Sequence, residues 1–311
     1  IKDIDHPLKI LDGLSSSGIR GVRFCNEIVG DFKVFLNDWD KNAFKLIKKN
    51  IKNNNLKNAH PVNSELNSLL SSDRFDYIDI DPFGSPVYFF DSSIRSIKHN
   101  GVISFSATDT ATLCGVYKKV CRRRYDTEPY HGVSMKEVGM RILIGAFARA
   151  ASRHEKGIMP LISYVTDHYF RCYVKVFDNV SKANDTISKV KTIKSGEKIG
   201  FEEIKKDVGP VWTGKLQFKK IFKDIISISS SKKFGSKKKL FKLINLLDEE
   251  ADMPMFYFTT DSIASKIKKS PPKKVDLINN LEKKGYNASG THFDDMGFKT
   301  DADIEDIISF Y

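Results

Sequence analysis

Leu161-Ile162-Ser163-Tyr164-Val165 and Tyr169-Phe170-Arg171-Cys172-Tyr173-Val174-Lys175-Val176-Phe177 stand almost back to back, with only Thr166-Asp167-His168 between them. Both runs are rich in the β-branched and aromatic residues that suit a pleated, half-buried strand. A parallel crossover needs about a dozen connecting residues, so this short link makes the two strands antiparallel. The chain before them has a different texture. Strands are predicted at Lys9–Leu11, Val34–Leu36, weakly near Pro61 and Val62, at Tyr77–Ile80 and at Val102–Ser106. Helices are predicted between them over Ile19–Ile28, Lys41–Ile51, Glu65–Leu70 and Val87–Ile97, followed by a longer one with Val138, Ile142, Ala146 and Ala150 on one stripe. Such alternation marks a parallel sheet covered on both faces. The expected fold class is therefore α/β, a Rossmann-like sheet closed by an antiparallel hairpin.

Beyond Asp178 the sequence turns polar and lysine-rich, which places a domain boundary near Asn179–Asn184 and divides the chain into 1–180 and 181–311. The second part is read as a smaller α+β domain. It contains Gly209-Pro210-Val211-Trp212 and a basic helix over Ser229–Asp248, in which lysines 232, 233, 237, 238, 239 and 242 interleave with Phe234, Leu240 and Phe241. Its end reads as winged-helix-like: Asp261 caps a helix through Ile267, Pro271 and Pro272 open a second through Lys284, Gly285 stops it, and residues 287–300 form the wing.

Lys+Arg 51 against Asp+Glu 39 gives a net charge of +12, which favours a polyanionic partner, although a lysine-rich composition weakens that inference. No apolar run approaches the roughly 18 residues that span a bilayer, so no membrane association and a cytoplasmic location are expected. Cys25, Cys114, Cys121 and Cys172 form no C-x-x-C pair, so neither a disulfide framework nor a metal site is expected, and all four read as buried apolar residues. The chain begins at Ile1 with a strand almost at once, and some N-terminal sequence is expected to be missing.

Asp12-Gly13-Leu14-Ser15-Ser16-Ser17-Gly18-Ile19-Arg20-Gly21 joins the first strand to the first helix. Its small residues let a ligand approach the backbone, although such a turn also satisfies plain sheet geometry. It lacks the G-x-G-x-x-G that cradles a pyrophosphate, which argues against a dinucleotide. Twenty residues after Gly18, Asp38 ends the second strand, where a carboxylate can accept hydrogen bonds from both ribose hydroxyls of a nucleoside. Asp40 reads as the cap of the following helix, and Asp38 could also be a cap.

Asp79-Ile80-Asp81-Pro82-Phe83-Gly84-Ser85-Pro86 leaves the fourth strand. A Pro/Gly run there could be only a rigid turn. Amino-group methyltransferases, however, place an Asp/Asn-Pro-Pro-aromatic loop at this point, because an exocyclic amine is a poor nucleophile. In such a loop a carboxylate and a neighbouring backbone carbonyl accept the two amine hydrogens, an aromatic ring stacks on the base, and the nitrogen lone pair is aimed at the methyl donor. A doubly wound sheet closed by a reversed hairpin is also the layout of the class I methyltransferases, whereas nicotinamide-binding sheets end parallel. The loop has no cysteine for attack on pyrimidine C5, and there is no phosphate-loop motif. These residues alone leave open a DNA adenine-N6 or cytosine-N4 methyltransferase, or a catalytically inert RNA-binding protein.

Over nearly its whole length the chain resembles the tRNA (guanine-26-N2)-dimethyltransferases of archaea and eukaryotes. The resemblance is carried by Asp12–Arg23, Asn37-Asp38, Asp81–Pro86, Ala107-Thr108-Asp109, Leu113-Cys114-Gly115, Glu137–Arg141, Asp167–Arg171, Gly209–Trp212 and Gly290–Phe293. It implies that Asp12, Gly18, Arg20, Asp38, Glu65 and Leu66 bind S-adenosylmethionine, with Asp38 on the ribose and Glu65-Leu66 near the adenine. It further implies that Asp81 is catalytic, with Pro82 and Phe83 beside it, and that the substrate is tRNA bound by a monomer. Glu65-Leu66 replaces the family's usual Asp-Ala. The family's upstream segment, with an aromatic and another arginine toward the cofactor, is not in this sequence, nor is the cysteine cluster some relatives carry in the second domain.

Overall fold

The computed structural model describes residues 6–311. Seven strands lie in the order β3-β2-β1-β4-β5-β7-β6, namely β1 (Leu8–Asp12), β2 (Phe32–Asn37), β3 (Ala59–Val62), β4 (Phe75–Ile80), β5 (Ile97–Ala107), β6 (Lys156–Thr166) and β7 (Tyr169–Asp178). The β1–β2, β1–β4, β2–β3 and β4–β5 pairs are parallel. β6 and β7 are neighbours joined by Asp167 and His168 alone, so the hairpin reverses the edge of the sheet as the sequence predicts. The helices before β6 are α1 (Ile19–Glu27), α2 (Lys41–Asn53), α3 (Leu66–Ser72), α4 (Phe90–Ser96), α5 (Thr110–Leu113), α6 (Lys118–Tyr125) and α7 (Met135–Arg153).

Register decides where the loops emerge. Asp12 stands level with Leu36 on β2 and with Asp79 on β4, so the segments after these three strands leave from one edge. That edge, at the carboxyl ends of parallel strands, is where ligands bind in open α/β sheets. Ile10, Val34 and Leu36 of the sheet pack with Val22 of α1 and Ile47 of α2. Each such burial stabilises by about 1.5–3 kcal/mol, and it holds both helices beside the loops that precede them.

Contacts divide the chain into two units. One comprises the chain up to Asp109, Phe147–Met159 and Arg171–Ser188; the other comprises Thr110–Ala146, Pro160–Phe170 and Lys189–Tyr311. The first unit ends with α8 (Val180–Ser188). In the second, β8 (Val190–Ile193) pairs antiparallel with β11 (Val208–Trp212), and β9 (Lys198–Ile199) pairs with β10 (Glu202–Glu203). α9 (Lys220–Ser231) and α10 (Lys237–Glu250) share a core of Phe222, Ile244 and Leu247. β12 (Phe258–Thr259), α11 (Thr260–Ile267), α12 (Lys274–Lys283), β13 (Ala288–Gly290), β14 (Gly297–Thr300) and α13 (Ile304–Ile308) complete the chain. The three strands pair antiparallel in the order β12-β14-β13 beside Ile263, Leu277 and Leu281, which gives the expected winged-helix-like end.

Four local expectations are corrected. The basic helix over 229–248 is two helices, interrupted at 232–236 where Lys232 is extended and Gly235 and Ser236 disfavour helix interior. The cap of α11 is Thr259, whose side chain accepts from the Ser262 N–H, and Asp261 lies inside the first turn. α7 is buried almost all round from Val138 to Ala148, with no single apolar stripe. Cys25 is half-buried, unlike the other three cysteines.

Candidate functional site

The loop after β1 is held by polar side chains from below. Asp12 is almost fully buried, and its Oδ2 accepts the Gly21 N–H at 3.1 Å. Burial, reinforced by the neighbouring negative charge of Asp79, pushes the Asp12 pKa up to about 6. Gly18 precedes α1 with φ +77°, in the left-handed region that glycine tolerates. A Cβ on Gly13 would come within 2.9 Å of the Asp79 carbonyl oxygen and 3.0 Å of Leu66 Cδ1, so only glycine lets the loop lie this close to β4 and α3.

Asp38, the residue after β2, faces the same loop. Its Oδ2 accepts the Ser16 N–H at 2.8 Å and its Oδ1 the Asp40 N–H at 3.0 Å. A carboxylate offers about four acceptor positions, so each oxygen keeps one for another donor. Asn37 ties the layers together by donating to the Gly13 carbonyl at 2.9 Å and accepting the Ser64 N–H at 3.1 Å. Asp40 caps α2 through the Asn42 and Ala43 N–H groups. Glu65 caps α3 through the Asn67 and Ser68 N–H groups, and Leu66 is buried beneath Gly13.

At the end of β4 lies a charged cluster. Arg20 of α1 donates through Nη1 to Asp79 Oδ1 at 2.6 Å and through Nη2 to Asp81 Oδ2 at 2.5 Å. Arg171 of β7 donates to Asp79 Oδ2, to Ser106 Oγ at 2.7 Å and to Ser104 Oγ at 3.1 Å. Tyr77 and Ser104 also donate to Asp79, at 3.1 and 2.7 Å. Burial alone would raise the Asp81 pKa, but hydrogen bonds from Arg20 and Ser106 and the charges of Arg20 and Arg171 hold it below the usual carboxylate range. The following loop is pinned to the end of β5. Gly84 N–H donates to Thr108 Oγ1 at 2.7 Å, and Thr108 N–H returns to the Gly84 carbonyl at 2.9 Å. Phe83, between these anchors and Asp81, is 105% exposed.

A family model described as N2,N2-dimethylguanosine tRNA methyltransferase matches residues 1–311. The chain belongs to this family. A tRNA (guanine(26)-N(2))-dimethyltransferase from Pyrococcus abyssi is 36% identical over 324 residues, covering 96% of this chain and 85% of that protein. One from Saccharolobus islandicus is 37% identical over 319 residues, covering 97% and 84%. The solved structure of Trm1 from Pyrococcus horikoshii with S-adenosyl-L-methionine is 34% identical with a TM-score of 0.89, covering 97% of this chain and 88% of that one.

In this dimethylguanosine methyltransferase fold, Asp12, Gly18, Arg20 and Asp38 gather around the ends of β1 and β2, and Asp81, Pro82 and Phe83 follow β4. Arg20 joins the two groups, because its guanidinium bridges Asp79 and Asp81. Leu66 adjoins them through Gly13. The Glu65 carboxylate is engaged by α3. Sequence reasoning assigned no role to Asp79, Ser104, Ser106 or Arg171. Their signals were present: Ser104 and Ser106 share a strand face by their spacing of two, and Asp79 stands two residues before Asp81; Arg171 is a cation flanked by Phe170 and Cys172 in a strand, which must find a partner once buried. Among the described residues no group of His, Cys, Asp or Glu could hold a metal ion, and no helix is long and apolar enough to cross a membrane. Cys114 is buried, and burial pushes its thiol up to about 11, which makes it a poor nucleophile.

Proposed function

We propose that this chain transfers methyl groups from S-adenosylmethionine to the exocyclic N2 of guanine 26 in tRNA, giving N2-methylguanosine and then N2,N2-dimethylguanosine. The observation that carries the reading is the ionised Asp81, held by Arg20 and followed by Pro82 and a solvent-facing Phe83 on a pinned loop. The residues present fit the cofactor: Asp38 keeps two acceptor positions for two ribose hydroxyls, and small residues from Gly13 to Gly18 leave the backbone accessible.

The cofactor, when bound, supplies a methyl group on a positively charged sulfur. Asp81 accepts a hydrogen of the guanine amine and so orients the nitrogen lone pair. Phe83 stacks on the base after it has left its helix stack. Arg20 and Ser106 fix the carboxylate in place, and Arg171 fixes Ser106. Once the N–C bond forms and the C–S bond breaks, the amine carries one extra, acidic proton. Asp81 or water takes it, and the low pKa of Asp81 returns it readily to solvent. Residues 181–311, with lysines 237, 238, 239 and 242 on α10, supply phosphate contacts to the tRNA. In this reading the protein acts as a monomer, and the cytoplasm is the compartment it implies.

The test is to incubate the protein with unmodified tRNA and labelled S-adenosylmethionine, digest the RNA, and identify the labelled nucleoside. Label is expected in N2-methylguanosine and N2,N2-dimethylguanosine, and replacing guanine 26 by adenine should abolish it. Label in N6-methyladenosine, in a ring-carbon product, or only in DNA overturns the assignment.

A further inference from the structure

Lysine outnumbers arginine 40 to 11 in this chain, and no arginine follows Arg171. Where lysine is the default cation, the run Arg122-Arg123-Arg124 marks a place that uses the guanidinium itself. Its planar fork binds phosphate in a bidentate way that an ammonium cannot match. The run lies on α6, whose Cys121 and Tyr125 are buried. Lys118, Lys119, Arg122 and Arg123 face solvent, and Val116 and Tyr117, just ahead of the helix, are 54% and 58% exposed.

Helix energetics account for only part of this pattern. Cations in the last turn complement the negative end of the helix dipole, which explains Arg122, Arg123 and Arg124. Lys118 and Lys119 occupy the first turn, where positive charge is unfavourable, and no acidic residue stands there. Lys118/Arg122 and Lys119/Arg123 are also four apart, so like charges adjoin along both rows. Glu128 pairs with Arg122 alone, and Lys118, Lys119 and Arg123 have no acidic partner among the described residues. A cationic face arranged against its own stability is complete only with a polyanion on it. An exposed tyrosine at its head adds a surface on which a base can stack.

We propose that α6 is a backbone clamp for tRNA, with Lys118, Lys119 and Arg123 on phosphates and Tyr117 against an unpaired base. This rests on tRNA being the substrate and adds a contact surface separate from the lysines of α10. An acidic protein surface could use the same charges and ring; the match to a tRNA methyltransferase family over the whole chain is what favours tRNA.

The test is a triple substitution in the full chain, Lys118→Gln, Lys119→Gln and Arg123→Gln, with Tyr117→Ala alongside. Binding of an unmodified tRNA transcript is followed by fluorescence anisotropy across a salt series, and S-adenosylmethionine binding by calorimetry. The triple variant should bind tRNA at least about tenfold more weakly, with the slope of log K against log salt reduced by about two to three, since each lost phosphate contact removes about 0.7–0.9. Tyr117→Ala should weaken binding without changing that slope, and cofactor affinity should stay as in the wild type. Wild-type tRNA affinity and slope in the triple variant overturn the clamp. Binding of an acidic protein, with tRNA affinity untouched, overturns it too. If cofactor binding also fails, the fold has been damaged, and the single exposed change Arg123→Glu carries the test: weaker tRNA binding with the slope reduced by about one supports the clamp, and wild-type affinity and slope overturn it. Failure of the substrate reading looks different: the wild-type chain itself would then neither bind nor methylate tRNA.

Discussion

Replacing Arg171 by leucine removes a side chain that reaches Asp79, Ser104 and Ser106 together. The guanidinium is 5% exposed and the Asp79 carboxylate is 0% exposed. Deleting one partner of a buried pair costs about 3–5 kcal/mol, because the survivor is left uncompensated. Asp79 would keep Arg20 at 2.6 Å, Ser104 at 2.7 Å and Tyr77 at 3.1 Å, so the lower end, about 3 kcal/mol, is expected. Against a typical total of about 5–15 kcal/mol, a urea titration resolves this easily. A second effect reaches the chemistry. Despite burial, Asp81 is held below the usual range by Arg20, Ser106 and the charge of Arg171. A depressed carboxylate is ionised above its own pKa and loses that state only as pH falls through it. Removing Arg171 raises that pKa, so the acid limb of kcat/KM moves up toward the ordinary value of about 4. Arg171→Lys should keep most of the limb's position while losing the fork to Ser106. A leucine variant within about 1 kcal/mol of wild type, with an unshifted acid limb, would refute the reasoning.

Three further outcomes are expected. Asp38→Ala should weaken S-adenosylmethionine binding by about 2–3 kcal/mol, since charge-assisted hydrogen bonds are lost; equal affinity of the folded variant by calorimetry removes Asp38 from the site. Asp81→Ala should retain cofactor and tRNA binding but slow methyl transfer at least about a hundredfold, and turnover above a tenth of wild type would end its assigned role. Asp12, with its pKa raised to about 6, favours the folded state fully below its unfolded pKa, and that contribution is lost as pH rises through about 6. Asp12→Asn should therefore gain stability relative to wild type between pH 5 and pH 8 by about 1–1.5 kcal/mol, the part of the shift that lies above pH 5; an equal difference at both pH values counts against the buried carboxylate.

The sheet was legible because hydrophobic period and connection length are local properties: the three-residue gap before Tyr169 was enough to predict the reversed hairpin. The placement of Asp38 and Asp81 at one edge of the sheet was legible because they lie just beyond predicted strands, where the topology brings loops together. The break between α9 and α10 was missed because continuous lysine and apolar spacing outweighed one Gly-Ser pair. Glu65 as a cap was missed although its contacts are local, two and three residues on, whereas Arg171 as the partner of Asp79 depends on a contact 92 residues apart in sequence. No periodicity reports a pairing at that distance. The chain's division by contacts, with 110–146 and 160–170 grouped with the C-terminal half, is likewise invisible to composition.

Phe83 stands wholly in water on a loop clipped at Gly84 and Thr108. An aromatic ring in that position orders solvent around both faces, and covering it releases about 1.5–3 kcal/mol. Extracting a base from an RNA helix costs a few kcal/mol, a sum of similar size. The exposed ring thus carries an unfavourable hydration before the substrate arrives, on a backbone held at Gly84. Relief of that hydration on contact with the guanine would offset part of the work of unstacking, so the loop would act on the shape of the RNA before any methyl group moves.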